Sequence, residues 1–301
     1  MAWEKPRRTR EKITILLPLP TQVILGFFIV IPIIAAAYVS FTNWAPIQGI
    51  NWYDAQIAGA KNYLDIVSLP RFINSILTTL TIVGLVVPVE LLIGLGLALA
   101  IPEKLYGRKA FVSLILTPMM MLPLVTGFTF QTMYPKDGPI NQILSLVSGV
   151  RVEIDWLRSP GGALLAIMLA DIWQWTPFMF ILILAGLTTL PSEPAKAARV
   201  LGATEMQVFR HITLPQLKPV IFLAVIIRAI EAFKIFDVPF LMTRGGPGTT
   251  TETVSVFLYQ FGFVFGRLGF ITAGSLIILV LVLIVAIWVT RPLTRVPKEE
   301  K

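Results

Sequence analysis

Residues Ile73–Ile101 read INSILTTLTIVGLVVPVELLIGLGLALAI, and Glu90 is the only ionisable side chain among these 29 residues. A hydrocarbon layer of about 30 Å is crossed by roughly 20 apolar residues in an α-helix, so the stretch is long enough to span it. Blocks of the same character recur at about 19–41, 111–134, 163–187, 220–242 and 270–289. Prolines and glycines within them (Pro88, Gly94, Gly96, Pro118, Pro123, Pro177) are compatible with membrane helices, where neighbouring elements re-satisfy the freed backbone. The third block has prolines on both sides of Met119–Met121 and is the one expected to break. The expected fold is all-α: a polytopic membrane protein of one domain, 1–301, with six transmembrane helices. The first block is long and lacks a small-x-small cleavage site, so it reads as a retained helix.

Composition agrees. Of 301 residues, 55% are hydrophobic and 14% charged, with mean hydropathy +0.78. A soluble domain carries about 25% charged residues, so this chain has too few to coat its own surface. A soluble enzyme, a disordered tail and a collagenous or disulfide-rich chain are excluded. With no cysteine and one histidine, the chain has no thiolate chemistry and no His or Cys metal cluster.

The net charge of +8 reads as orientation. Sixteen Lys and Arg fall in the N-terminal tail (Lys5, Arg7, Arg8, Arg10, Lys12), after span two (Lys104, Arg108, Lys109), after span four (Lys196, Arg199, Arg210, Lys218) and in the C-terminal tail (Arg291, Arg295, Lys298, Lys301), against seven in the opposite segments. The positive-inside bias places both termini in the cytoplasm. Nucleic acid is thereby removed from the partners, and the basic N-terminal tail reads as a topology signal in contact with anionic membrane lipid.

The hydrophilic interruption at about 188–218 is the most informative part of the chain. Ser192 is an expected N-cap, with Pro194 in the first turn. Residues Ala195–Leu201 favour helix, and Gly202 stops it as a C′ glycine would. Thr204 caps a second short helix from Glu205 to about Ile212, which Pro215 is expected to end. The result is a helix–glycine–helix elbow near the membrane. Its small residues, Ala197, Ala198 and Ala203 among them, admit close approach of a partner. Anchored at both ends by membrane helices, it acts as a lever.

This segment resembles the "EAA" coupling loop of binding-protein-dependent ABC importer permeases: Glu-Ala-Ala, three residues, Gly, nine residues, Ile-x-Leu-Pro. Here Lys196-Ala197-Ala198 precedes Gly202 by three residues, and nine residues follow before Ile212-Thr213-Leu214-Pro215. Lys196 replaces the family glutamate, with Glu193 one turn earlier. Further likeness runs over nearly the whole chain and is to the carbohydrate branch, the maltose and glycerol-phosphate type. It includes Gly59-Ala60-Lys61-Asn62-Tyr63, Gly138 to Asn141, Trp173 to Pro177, and Phe236-Asp237 followed by Thr243-Arg244-Gly245-Gly246-Pro247, Thr251 to Thr253 and Tyr259. The resemblance implies a multi-pass permease of a prokaryotic plasma (inner) membrane, which pairs with a second permease subunit. An ABC ATPase homodimer would grip the coupling loop through Glu193, Lys196, Ala197, Ala198, Gly202, Ala203, Ile212, Leu214 and Pro215. An extracytoplasmic solute-binding protein would deliver the solute, a sugar-type small molecule. The chain has no GxxxxGK[ST] P-loop, so it is expected to be no enzyme and to hold no cofactor, with ATP and Mg bound by the partner ATPase.

Ionisable groups inside a membrane mark function by default. Glu90 lies in span two and is expected to hydrogen-bond a neighbouring helix in its protonated form. Asp171 lies in span four beside Trp173 and Trp175. Arg228, Glu231, Lys234 and Asp237 follow one another at i,i+3 in span five with alternating sign. They form either a self-neutralising ladder or, with Asp171 and the tryptophans, a wall of the substrate path; the two are compatible. His211 is read as a capping or ATPase-contact residue. An ion-coupled secondary transporter using these groups is the alternative, disfavoured because no internal repeat is evident. An intramembrane enzyme is disfavoured because the chain lacks HExxH, GxSxG and any Ser/His pair in its spans.

Overall fold

The computed structural model describes residues 18–102 and 105–290. The terminal basic residues counted above, and Lys104, lie outside them. Among the described residues the regular structure is helical, joined by turns and irregular loops, with two isolated bridges, Thr42–Ile57 and Ala45–Ile50. The helices are α1 (Leu19–Ser40), α2 (Lys61–Val67), α3 (Pro70–Ala100), α4 (Arg108–Leu116), α5 (Pro123–Met133), α6 (Pro139–Ser148), α7 (Pro160–Thr189), α8 (Glu193–Val200), α9 (Glu205–Val208), α10 (Leu214–Phe233), α11 (Asp237–Thr243), α12 (Val254–Tyr259) and α13 (Leu268–Thr290). Among the described residues, five helices are long and apolar enough to cross a membrane: α1, α3, α7, the run Glu205–Phe233, and α13.

The block expected at 111–134 is not one helix. It is α4, a 3-10 turn at Pro118–Met120, and α5. Pro118 and Pro123 each lack the N–H that would continue the ladder. The carbonyl of Met121 at the break accepts a 2.9 Å bond from Gln174 Nε2 of α7, so the interruption is satisfied from a neighbouring helix, as an apolar surrounding requires. The block expected at 220–242 is also interrupted: α10 stops at Phe233, and α11 restarts at Asp237.

The chain divides into two compact units, Met1–Ser68 with Gln260–Val280, and Leu69–Tyr259 with Leu281–Lys301. In the first, Asn62 Nδ2 donates to the carbonyls of Ser40 and Thr42, 2.8 Å each. The carbonyl of Ser40 is among the acceptors left open where α1 ends, and that of Thr42 lies just beyond. Tyr63 Oη meets Ser40 Oγ at 2.6 Å. The Asn-Tyr pair noted in the sequence therefore ties down the end of α1.

In the second unit, α3 and α7 form the most extensive helix pair. They touch where Gly94 meets Met179 and Phe180: a Cβ on Gly94 would stand 2.8 Å from Met179 Cβ and from Phe180 N. Ile82, Val86, Ala166, Ile167 and Ala170 pack toward one end, and Ala98, Phe180, Ile183, Leu184 and Leu217 toward the other. Between them, Val87, Met179, Ala224 and Ala232 join α10 to the pair. Asn141, fully buried, donates to the carbonyls of Pro135, Lys136 and Ile154 and accepts from Trp156 Nε1. That explains Gly138 to Asn141 as a loop anchor.

Candidate functional site

Three buried charges meet in the middle of the second unit, one from each of α3, α7 and α10. Arg228 donates from Nε to Glu90 Oε2 at 2.7 Å and from Nη2 to Glu90 Oε1 at 2.9 Å, a bidentate pair. Its Nη2 also donates to Asp171 Oδ2. The Arg228 guanidinium lies over the Trp175 ring, 5.1 Å from its centroid. The three side chains are 0–3% exposed. A charge so far from water needs a partner of opposite sign with good hydrogen-bond geometry, and each carboxylate has Arg228.

Beside the triad is a cavity of about 190 Å³ lined by Asp171, Gln174, Trp175, Arg228, Glu231, Lys234, Phe236 and Asp237. Lys234 donates to Glu231 at 2.8 Å. Gln174 Oε1 is buried and accepts no bond. The wall thus offers donors, acceptors and two aromatic faces.

The ladder expected along span five is corrected in two respects. Arg228 pairs across helices with Glu90 and Asp171, leaving Lys234 to Glu231. Asp237 belongs to α11, because the helix ends at Phe233 with Lys234 as its C-cap. Trp173 is not brought to the cavity; it is 41% exposed and packs edge-on against Phe130 at 5.4 Å. The i,i+3 spacing is only a local signal, and the partners of Arg228 stand 138 and 57 residues away.

The run after span five forms a braced turn. Thr251 Oγ1 donates to the carbonyl of Gly246, and Thr243 Oγ1 meets Thr251 Oγ1 at 2.6 Å. Phe236, Phe240 and Tyr259 cluster with centroids 4.9–5.2 Å apart. Glu252, 1% exposed, takes a bidentate 2.7 Å pair from Arg71. Nothing in the local sequence signals that pairing, since the two residues are 181 positions apart.

The elbow at 190–215 forms as its capping residues require. Gly202 has φ +87°. Its N–H bonds to the carbonyl of Arg199, and that of Ala203 to the carbonyl of Ala198, each at 3.0 Å, which is a Schellman C-cap. Thr204 and Gln207 form a capping box. Arg199 spans the corner to Glu205 with bonds of 2.6 and 3.0 Å. Lys196, in the position of the family glutamate, pairs with Glu193 at 3.0 Å. Ser192 holds the N-cap position without a side-chain cap bond.

The helix end expected at Pro215 is corrected as well. The helix does not stop but runs from Glu205 to Phe233. Phe209–Thr213 widens into a π-turn, and Pro215 opens the α-helical part. A π-bulge absorbs the steric and hydrogen-bond defect of a proline. His211 therefore lies within a continuous helix and not at its end, with Nδ1 3.0 Å from the carbonyl of Gln207. Ile212 and Leu214 are half-buried. The elbow also presents three apolar side chains that are not among the expected contact residues: Val200 and Leu201, each 87% exposed, and Met206, 71% exposed. Their signal in the sequence is faint, being apolar residues in a polar loop.

Residues 55–295 match the model of the family described as "Binding-protein-dependent transport system inner membrane component". The chain is 34% identical over 283 residues to the trehalose/maltose transport system permease protein MalF of Thermococcus litoralis, covering 93% of this chain and 92% of that one. It is 34% identical over 286 residues to the sulfoquinovosyl glycerol transport system permease protein SmoG of Agrobacterium fabrum, covering 92% and 90%. Among solved structures, a chain of a bacterial ABC transporter that imports the acidic polysaccharide alginate superposes with TM-score 0.77 at 23% identity, covering 96% of this chain and 98% of that one.

Proposed function

The chain belongs to the binding-protein-dependent transport system inner membrane components, and from that membership we propose that it is a carbohydrate importer's permease, driven through its elbow by a separate ATPase. It forms the passage with a second permease subunit. A solute-binding protein presents the sugar on the outer face, and an ABC ATPase homodimer holds the elbow on the cytoplasmic side, where both termini also lie. The broken third block completes six membrane passes. ATP and Mg are held by the ATPase, and the chain itself catalyses nothing.

The observation that carries this reading is the elbow's combination of rigidity and stickiness. A Schellman cap, a capping box and the Arg199–Glu205 pair fix its corner. Val200, Leu201 and Met206 stand in solvent, and exposed apolar groups on a polar surface mark contact sites. The second arm is one helix from Glu205 through Arg228 to Phe233. A push on the elbow therefore reaches the buried triad along one helix. The cavity beside the triad serves as one wall of the path: Lys234, Glu231, Asp237 and Gln174 Oε1 match hydroxyls that both donate and accept, and Trp175 and Phe236 offer faces for a sugar ring.

The test is affinity purification through a tag on this chain from native membranes, followed by reconstitution. The ATPase co-purifies, and V200D/L201D loses it while the chain remains in the membrane. Uptake by proteoliposomes requires enclosed ATP. Uptake driven by an ion gradient without ATP, or full ATPase recovery with V200D/L201D, refutes the reading.

A further inference from the structure

Outside the cavity described above, the second unit holds an open groove of about 690 Å³ between α4 and the end of α7. Part of its lining is apolar, with Val112 from α4 and Ile181, Leu184 and Ala185 from α7. Arg108 and Lys109, counted above among the orientation charges, also line it. No carboxylate lines the groove among the described residues. Arg108 Nε is buried and has no hydrogen-bond partner. Gly107, at φ +76°, starts α4 without a side-chain cap, and no acidic residue stands in the first turn. Uncapped amides at a helix N-terminus favour an anion.

These features converge on a ligand with an anionic head and an apolar tail. A free phosphate would use the two cations and leave the apolar lining bare. An acidic protein surface would meet the cations and not the apolar lining. We propose that this groove binds an anionic phospholipid, with the headgroup phosphate on Arg108 and Lys109 and an acyl chain along Val112, Ile181, Leu184 and Ala185. Basic pockets between membrane helices take such headgroups. The assignment holds whichever face of the membrane the groove opens toward, so it stands or falls separately from the importer reading.

Native mass spectrometry of the full chain in detergent, with equal phosphatidylglycerol and phosphatidylcholine, tests it. The wild type retains phosphatidylglycerol in preference to phosphatidylcholine. R108Q/K109Q lowers that retention by roughly thirtyfold, since each cation near an anionic surface contributes about 1 kcal/mol and about 1.4 kcal/mol is tenfold. Ala185→Trp keeps both charges and fills the groove, and it also displaces the lipid; this variant carries the test if R108Q/K109Q does not fold. R151Q/R158Q removes two cations elsewhere and leaves retention unchanged. Equal retention of both lipids by the wild type, or undiminished phosphatidylglycerol in R108Q/K109Q, overturns the assignment. So does displacement by equimolar inorganic phosphate, which marks a free-anion site, or cross-linking of Ala185→Cys to another protein chain in membranes.

Discussion

Replacing Arg228 with methionine is the sharpest test of how the three central helices are held. The substitution keeps the stem volume and removes the guanidinium, which holds Glu90 through two bonds and Asp171 through a third. Both carboxylates are left within 3% of full burial. Breaking a buried ion pair by deleting one partner costs about 3–5 kcal/mol, chiefly because the remaining charge is uncompensated. Here two carboxylates are orphaned together, so the upper part of that range applies. On the scale of about 2–4 °C per kcal/mol for large domains, the midpoint of thermal unfolding in detergent falls by on the order of 10 °C. The triple variant R228M/E90Q/D171N removes all three charges and recovers most of the loss, since neutral replacement of a whole buried cluster is often tolerated. E90Q alone is milder than R228M, because it leaves one Arg–Asp pair of balanced charge. Fluorescence-detected size-exclusion thermostability on the four proteins decides the matter. Wild-type stability for R228M, or a triple variant no better than R228M, refutes the argument that compensation of buried charge joins α3, α7 and α10.

At Gly202 the φ of +87° meets open space, with no atom within 4 Å of a built Cβ, so the penalty is conformational and not steric. Gly202→Asn is therefore tolerated, and Gly202→Val loses coupling, with about 1–2 kcal/mol of strain at the corner; a loss of ATP-driven uptake that tracks side-chain volume would contradict this. Gly94→Ala forces α3 and α7 apart and destabilises by about 1–3 kcal/mol. Gly96→Ala, with nothing within 4 Å, is neutral or slightly stabilising, and parallel unfolding curves compare them. In proteoliposome uptake, Trp175→Ala raises the half-saturation concentration for the sugar while Trp173→Ala does not; equal effects would detach Trp175 from the path.

Much of the elbow was legible in advance because its signals are local. Gly202 and Thr204 specify their conformations within a few residues, and both took the expected caps. Ser192 had the right position, but its side chain makes no capping bond. Pro215 misled for a related reason: a proline announces a lost N–H, and only the surrounding helix decides whether the chain stops or widens into a π-turn. The charges of span five were conspicuous as a group, yet their pairing was not. Arg228 had neighbours of opposite sign at i+3, and it took partners from two other helices that bury it more completely.

The sequence alone determined that the chain crosses a membrane, where four of its five long helices begin to within a few residues, and that a glycine-centred elbow interrupts them; the start of span five was not among these, since that helix begins at Glu205 and not near 220. Each of these follows from apolar length, proline placement and capping chemistry, which act over one or two turns. Tertiary structure alone decided that Arg228 joins Glu90 to Asp171, that Arg71 holds Glu252, that Trp175 and not Trp173 reaches the cavity, and that the elbow's second arm is one helix with span five. Those outcomes depend on which helix faces and turns meet when the chain packs. In an apolar surrounding a buried charge accepts only a partner that packing brings within hydrogen-bond reach, whatever its distance along the chain.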